Sequence, residues 1–237
     1  MIWMTTMARA KRLYKVETNT NKARICGVVV GKSCDYESFG ETIYRVSVEV
    51  ERQSGAKDIV WLEIPERISE DIKRLNTGDT ILANGHLRSY IRMYASGGRH
   101  EVSVFVTDYY IVDEGNENDV SINGYICKQP IYRMTPLGRE IGEAMVAVNR
   151  KYGKADYIPC LFWGRNARFV SNLAVGDMLE VKGRLQSRIY VKNIGDGKLE
   201  QRTVYELSAS QIATLDADDG MKDIENYFMM KEREDGE

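Results

Sequence analysis

Tyr152, Tyr157, Trp163 and Tyr190 lie interleaved with Arg133, Arg139, Arg150, Lys151, Arg184, Arg188 and Lys192 in the second half of the chain. Flat rings can stack on bases, each stack contributing roughly 1–3 kcal/mol whatever the base. Cations beside them can neutralise phosphates. Together they supply the chemistry for holding a single nucleic-acid strand without reading its sequence. The competing reading of each cation is a solvated side chain that keeps a strand soluble. That of Trp163 is a core residue, since Phe162 beside it points to the opposite face and only one of the two should be buried. Local charge favours the binding reading. The whole chain is −2, but residues 118–215 hold 14 Lys and Arg against 9 Asp and Glu, a net +5. Residues 20–113 are −2 and residues 216–237 are −6. A polyanion responds to the sign of a face more than to the total.

Other chemistries lack their residues. Cys26, Cys34, Cys127 and Cys160 form no Cys-x-x-Cys pair, and His86 and His100 are the two histidines. Metal-ligand spacing is absent. There is no Ser/His/Asp set, glycine-rich phosphate loop or carboxylate cluster for metals, so neither an enzyme nor a cofactor is expected. Asp156 and Asp177 are assigned to turns. The cysteines read as reduced residues packed in strands of a cytoplasmic protein, with burial favoured at Cys26 and Cys127. No apolar run approaches the ~18 residues needed to span a bilayer. Residues 1–19 lack the apolar core of a secretory signal and read as a flexible basic leader, so no membrane partner is expected.

The elements that must position the aromatics are short β-runs. Val46, Val48 and Val50 alternate with polar residues, the mark of a half-buried strand. Residues 25–30, 59–64, 81–87 and 101–106 are further strands, and 36–41 reads as a loop. A short helix is expected over 69–75, with Ser69 as its N-cap. The layout then recurs. Asn21-x-x-x-Ile25-x-Gly27 returns as Asn118-x-x-x-Ile122-x-Gly124, and Gly85-x-Leu-x-Ser89 as Gly183-x-Leu-x-Ser187. Arg52 and Arg150, Asp58 and Asp156, and Gly78-Asp79 and Gly176-Asp177 all stand 98 residues apart. A constant offset across strands and turns signals an internal duplication. The expected organisation is one unit over 20–113, a linker over 114–117, a second unit over 118–215 and an acidic tail over 216–237. The fold class is all-β, two tandem OB-folds, each a five-stranded Greek-key barrel with a short helix between the third and fourth strands. Another small β-barrel is the alternative.

The second unit resembles the bacterial single-stranded DNA-binding protein family. The resemblance rests on the Pro130-x-x-Arg133 loop, the aromatic after the next long strand, the aromatics around the strand at 157–163, and Gly183-Arg-Leu-x-x-Arg188-x-Tyr190. It covers 118–212 directly and 20–113 only through the duplication. It implies that Tyr152, Tyr157, Trp163 and Tyr190 are the base-stacking residues. It implies sequence-tolerant binding and protection of single-stranded DNA in replication, recombination or repair, by a nucleoid-associated protein. Because the family assembles four such folds, it also implies a homodimer of this chain, and the strands at 25–30 and 122–126 are candidates for pairing between chains.

Two departures stand out. In the first unit the stackers are replaced at the same offset by Ser54, Ile59, Pro65 and Arg92, so this unit is expected to serve mainly in assembly or in a weaker part of the binding path, with Tyr90, Tyr94, Arg88, Arg92 and Arg99 as its remaining binding residues. Family members typically close on a hydrophobic dipeptide that recruits replication and repair proteins. This chain closes on Arg233-Glu-Asp-Gly-Glu237, which places any partner hook internally at Ile224, Tyr227 and Phe228. Two alternatives follow: a protein–protein adaptor in a replication or restart complex with secondary nucleic-acid binding, or an RNA-binding module.

Overall fold

The computed structural model describes residues 21–38, 40–68, 72–94, 97–150, 153–193 and 199–214. Within them the chain is almost entirely strand. The N-terminal half contains β1 (Asn21–Ser38), β2 (Glu41–Glu51), β3 (Lys57–Pro65), β4 (Thr80–Tyr94) and β5 (Gly97–Val112). The C-terminal half contains β6 (Glu117–Ile126), β7 (Ile131–Met134), β8 (Glu140–Asn149), β9 (Ala155–Trp163), helix α1 (Arg165–Val170), β10 (Met178–Asn193) and β11 (Leu199–Thr214).

Each half closes on itself. β1 pairs with β2 and β4, β2 with β3, β3 in parallel with β5, and β5 with β4. The C-terminal half repeats this with β6, β8, β9, β11 and β10, the β9–β11 contact again parallel. The alternation read from the sequence follows from closure, since inward residues such as Val46, Val48, Val50, Val146, Val148 and Ile158 are buried. Between β3 and β4 the described residues form two 3-10 turns, Glu66–Ile68 and Ile72–Arg74. The expected cap, Ser69, lies outside the described residues.

The recurring motifs are closure devices. Asn21 and Leu87 exchange two hydrogen bonds of 3.0 and 2.8 Å, and Asn118 and Leu185 exchange two of 2.8 Å. These contacts latch each ring's first strand to its fourth. Gly27 and Gly124 lie where a Cβ would stand 2.3 Å from the Glu49 carbonyl oxygen and 2.6 Å from that of Ala147. Gly85 and Gly183 follow bulges, and a Cβ there would stand 2.2 and 2.1 Å from the carbonyls of Phe105 and Ser208. Bulges bend a strand into closure, and only glycine fits so close an approach. In the Gly-Asp turns, Gly78 and Gly176 have φ of 99° and 101°, a region favouring glycine. The carboxylates of Asp79 and Asp177 accept the Asn76 and Ala174 N–H groups at 2.7 and 2.8 Å.

The two rings share one sheet. β1 and β6 pair antiparallel, Asn21 facing Ile122 and Ile25 facing Asn118. The two strands expected to pair between chains instead meet within one chain, through residues 21–26 and 117–122, and the segments 25–30 and 122–126 are taken up by β2 and β4 and by β8 and β10. Two further expectations are corrected. Residues 36–38 continue β1 rather than forming a loop, and β1 pairs with β2 as far as Ser38 opposite Glu41. Asp156 is no turn residue. It sits on β9 with its side chain fully buried. The segment between the halves is held too, because Asn116 exchanges hydrogen bonds of 2.8 and 2.7 Å with the Glu51 backbone. Of the cysteines, Cys26 and Cys160 are buried, Cys127 is half-buried and Cys34 is exposed on β1.

Gly183→Ala should lower the unfolding free energy by roughly 1–3 kcal/mol through overpacking against the Ser208 carbonyl. Urea denaturation measures it, and an unchanged midpoint would contradict the closure role.

Candidate nucleic-acid interface

β9 carries the aromatic face. Alternation sends Asp156, Ile158, Cys160 and Phe162 inward, where all are buried. Tyr157, Pro159, Leu161 and Trp163 face outward. Tyr157 is 49% exposed and Trp163 39%, against 0% for Phe162, so Phe162 is the core member of that pair. Arg133 on β7 and Trp163 on β9 flank Ile141 of β8 in one register row. On the far side of the face, Arg188 and Tyr190 project from β10 opposite Val204 and Arg202 of β11. Tyr190 is half-buried and accepts a hydrogen bond from Arg202, which, after its bond to Glu200, helps raise that arginine's pKa.

The predicted cations separate into several groups. Arg133 is exposed and paired with Glu143, and Arg139 is exposed in the β7–β8 turn, its backbone N–H donating to Thr135 Oγ1 at 2.9 Å. Arg188 is exposed, with Nε 3.3 Å from Glu206 Oε1. The Arg133–Glu143 pair, exposed on both sides, contributes little to stability, and both Arg133 and Arg188 keep an exposed guanidinium that can exchange a carboxylate for a phosphate. Arg184 is half-buried, and its Nη2 donates to Gln186 at 3.3 Å. Burial, and then neighbouring Arg52, lower its pKa, while Asp58 opposes them. Arg150 is engaged elsewhere. Its Nε donates to Asp156 Oδ2 at 2.5 Å, its Nη2 to Asp156 Oδ1, and Nη2 also lies 3.4 Å from the Ser89 carbonyl. It belongs to the scaffold, not to a phosphate site. Lys192 lies on β10 opposite Glu200. Tyr152, Lys151, Ile224, Tyr227 and Phe228 lie outside the described residues.

Sequence reasoning missed three exposed residues on β7 and α1, of which Tyr132 shares the register row of Gly142 and Phe162, on the face opposite Trp163. Tyr132 on β7 is 40% exposed, Phe169 on α1 is 40% exposed, and Arg168 of α1 pairs with Glu140 at 3.1 Å. An aromatic beside Arg133 on a short strand was a usable signal for Tyr132. Phe169 had none, since an aromatic in a short helix ordinarily packs inward.

The position of β9 depends on the other half. Asp156 Oδ1 accepts the Ser89 N–H at 2.5 Å, and Ser89 Oγ accepts the Tyr157 N–H at 2.7 Å. The same device operates in reverse. Asp58 accepts the Ser187 N–H at 2.9 Å, Ser187 Oγ accepts the Ile59 N–H at 3.0 Å, and Arg52 holds Asp58 at 2.6 Å.

With this geometry in place, comparison with known proteins locates it. Residues 117–215 match the model of the Single-strand binding protein family. The chain is 34% identical over 110 residues to single-stranded DNA-binding protein A of Bacillus subtilis, covering 44% of this chain and 62% of that protein. It is 32% identical over 106 residues to single-stranded DNA-binding protein 3 of Clostridium acetobutylicum, covering 42% of this chain and 71% of that one. The chain belongs to the single-strand binding protein family. It spans 51–62% of the length of the first curated relatives it matches. The wild-type single-stranded DNA binding protein from Thermus aquaticus, solved by crystallography, shares the fold with a TM-score of 0.66 at 21% identity, over 84% of this chain and 94% of that one. A deletion mutant of the same protein gives 0.67 at 20% identity, over 83% and 95%. The family model thus covers one half, whereas the likeness of fold extends across both. Family membership places the OB-fold on the C-terminal ring, whose outward strands carry the exposed aromatics.

Removing Arg150 strands a fully buried carboxylate, whereas removing Arg188 leaves the half-buried Glu206, which still accepts a hydrogen bond from Gln186 at 3.3 Å. Arg150→Ala should cost about 3 kcal/mol or more of stability and Arg188→Ala no more than about 0.5. Denaturant titration of both variants compares them, and equal losses would refute the scaffold assignment of Arg150.

Proposed function

We propose that this protein binds single-stranded DNA in a sequence-tolerant way through the outer face of its C-terminal ring, as a non-enzymatic protector of exposed strands in replication, recombination or repair. The observation that carries this reading is the outward stripe of Tyr157 and Trp163, both substantially exposed on a strand whose inward residues Asp156, Ile158, Cys160 and Phe162 are buried. Arg133, Arg139 and Arg188 border it, and Tyr190 extends it. Stacking on these rings tolerates any base, and the arginines can trade their carboxylate partners for phosphates. The names of the curated relatives support the substrate class.

We further infer two tandem OB-folds in the chain. Both rings have the same strand order with the same parallel contact, and the likeness to the Thermus aquaticus protein spans both halves. A homodimer would then bring together four such folds. The shared sheet β5-β4-β1-β6-β10-β11 offers the surface for a second copy, with Tyr110 60% and Val28 40% exposed on its outer side.

A thymine oligomer titrated against a duplex of equal length, at two salt concentrations, tests the binding. Tight, single-strand-selective binding with quenched tryptophan emission is expected. Its salt slope should be near −3.5 if about five phosphates are neutralised. Tyr157→Ala and Trp163→Ala should each weaken it by roughly 1–3 kcal/mol, about five- to 150-fold. Equal affinity for duplex, or indifference to both substitutions, would refute the reading. Sedimentation equilibrium should return twice the chain mass, and a monomer at micromolar concentration would refute the homodimer.

A further inference from the structure

The outer face of the N-terminal ring holds the same kinds of side chain as a strand-binding face. Arg45, Arg92, Tyr36, Tyr90 and Tyr94 project there, yet all are engaged by three carboxylates. Arg45 Nη2 lies 3.1 Å from both Asp35 Oδ2 and Glu101 Oε2. Arg92 donates to Asp35 at 2.7 Å and lies 3.3 Å from Glu101. Tyr36 and Tyr90 donate to the two oxygens of Glu63 at 3.2 and 2.5 Å, and Tyr94 donates to Glu101. The carboxylates are almost sealed from solvent, with side chains 8%, 2% and 6% exposed for Asp35, Glu63 and Glu101. Trp61 is covered as well. Arg45 lies 4.3 Å over its ring, and Tyr205 of β11 meets it at 4.4 Å between centroids.

The other ring lacks this filling. Glu63 of β3 corresponds, 98 residues on, to Leu161 of β9. The pair Tyr90–Glu101 across β4 and β5 corresponds to Arg188–Val204 across β10 and β11. The Asp35–Arg45 pair has its charges reversed in Arg133–Glu143.

We propose that the N-terminal ring carries a strand-binding face occupied by this chain's own carboxylates, Asp35, Glu63 and Glu101 standing where phosphates would, so that a bound strand is confined to the C-terminal ring. The proposal rests on the reading of the C-terminal ring as the strand-binding unit. A phosphate reaching Arg45 or Arg92 meets negative charge already in place, and a base reaching Trp61 finds the ring stacked. The seal is incomplete, since Arg45 Nε is buried without an acceptor. A partly satisfied polar network is less stable than a complete one, which makes this face one that substitution can open.

The test uses the full chain with Asp35→Asn, Glu63→Gln and Glu101→Gln combined, with and without Tyr157→Ala and Trp163→Ala. Thymine oligomers of increasing length are titrated. The neutralised protein should bind longer oligomers at least tenfold more tightly than wild type, with a salt slope steeper by about 1.4 for two freed arginines. It should also retain binding when Tyr157 and Trp163 are removed. A neutralised protein with a native melting transition and no gained affinity overturns the proposal. Should the substitutions unfold the chain, ultraviolet crosslinking of a thymine oligomer to wild type decides. Adducts at Tyr157 or Trp163 with none at Tyr36, Tyr90 or Tyr94 uphold it, and adducts in the N-terminal ring overturn it. If wild type binds no strand but the neutralised protein does, the masked face stands and the C-terminal reading falls. If neither binds, both fall.

Discussion

The structure depends on a buried carboxylate reaching across from each ring to the other. Asp58 and Asp156 are each gripped by an arginine of their own ring and each accept a backbone N–H from a serine of the opposite one. A carboxylate this deep is tolerated only where it is paired and its remaining lone pairs are met. The arginine and the serine together meet that condition. Each ring therefore needs its neighbour to satisfy a charge in its own wall. The β1–β6 pairing sets the register at which this happens, and the serine hydroxyl carries it one residue further to the strand bearing the aromatics.

The repeated strand order was legible because its marks are backbone requirements. Gly27, Gly85 and their counterparts sit where no Cβ fits, and Asn21 and Asn118 latch a strand by both amide groups. Such positions tolerate few residue types, so they stay readable as spelling and spacing. The alternating valines of β2 were legible for the same reason, since a period of two has one structural meaning.

What could not be read was which partner a charged side chain finds. Arg150 and Arg188 look alike in sequence, and only the fold brings Ser89 and Asp156 to the first and leaves the second outside. Glu63, in the run Val60-Trp-Leu-Glu-Ile64, has the alternation of a solvent-facing residue. It is buried because arginine and tyrosines from distant strands close over it. The continuation of β1 through Ser38 was hidden by Gly31 and Ser33, turn formers that β2 holds in register from across the sheet. Pairing between the two halves was mistaken for pairing between chains, because an edge strand shows what it needs without showing who supplies it.

Joining the halves in one chain has a consequence of its own. Two identical copies meeting about a twofold axis must present identical faces, so a substitution in one is imposed on the other. Here the segment held by Asn116 supplies the second half by covalent connection, and the faces are free to differ. One is closed by its own acids while the other keeps its rings in water. A nucleic-acid strand has a direction, and a symmetric holder presents the same aspect to either end of it. On the reading proposed above, a holder with one open and one closed side has a front and a back, so the two ends of a strand are no longer equivalent to it.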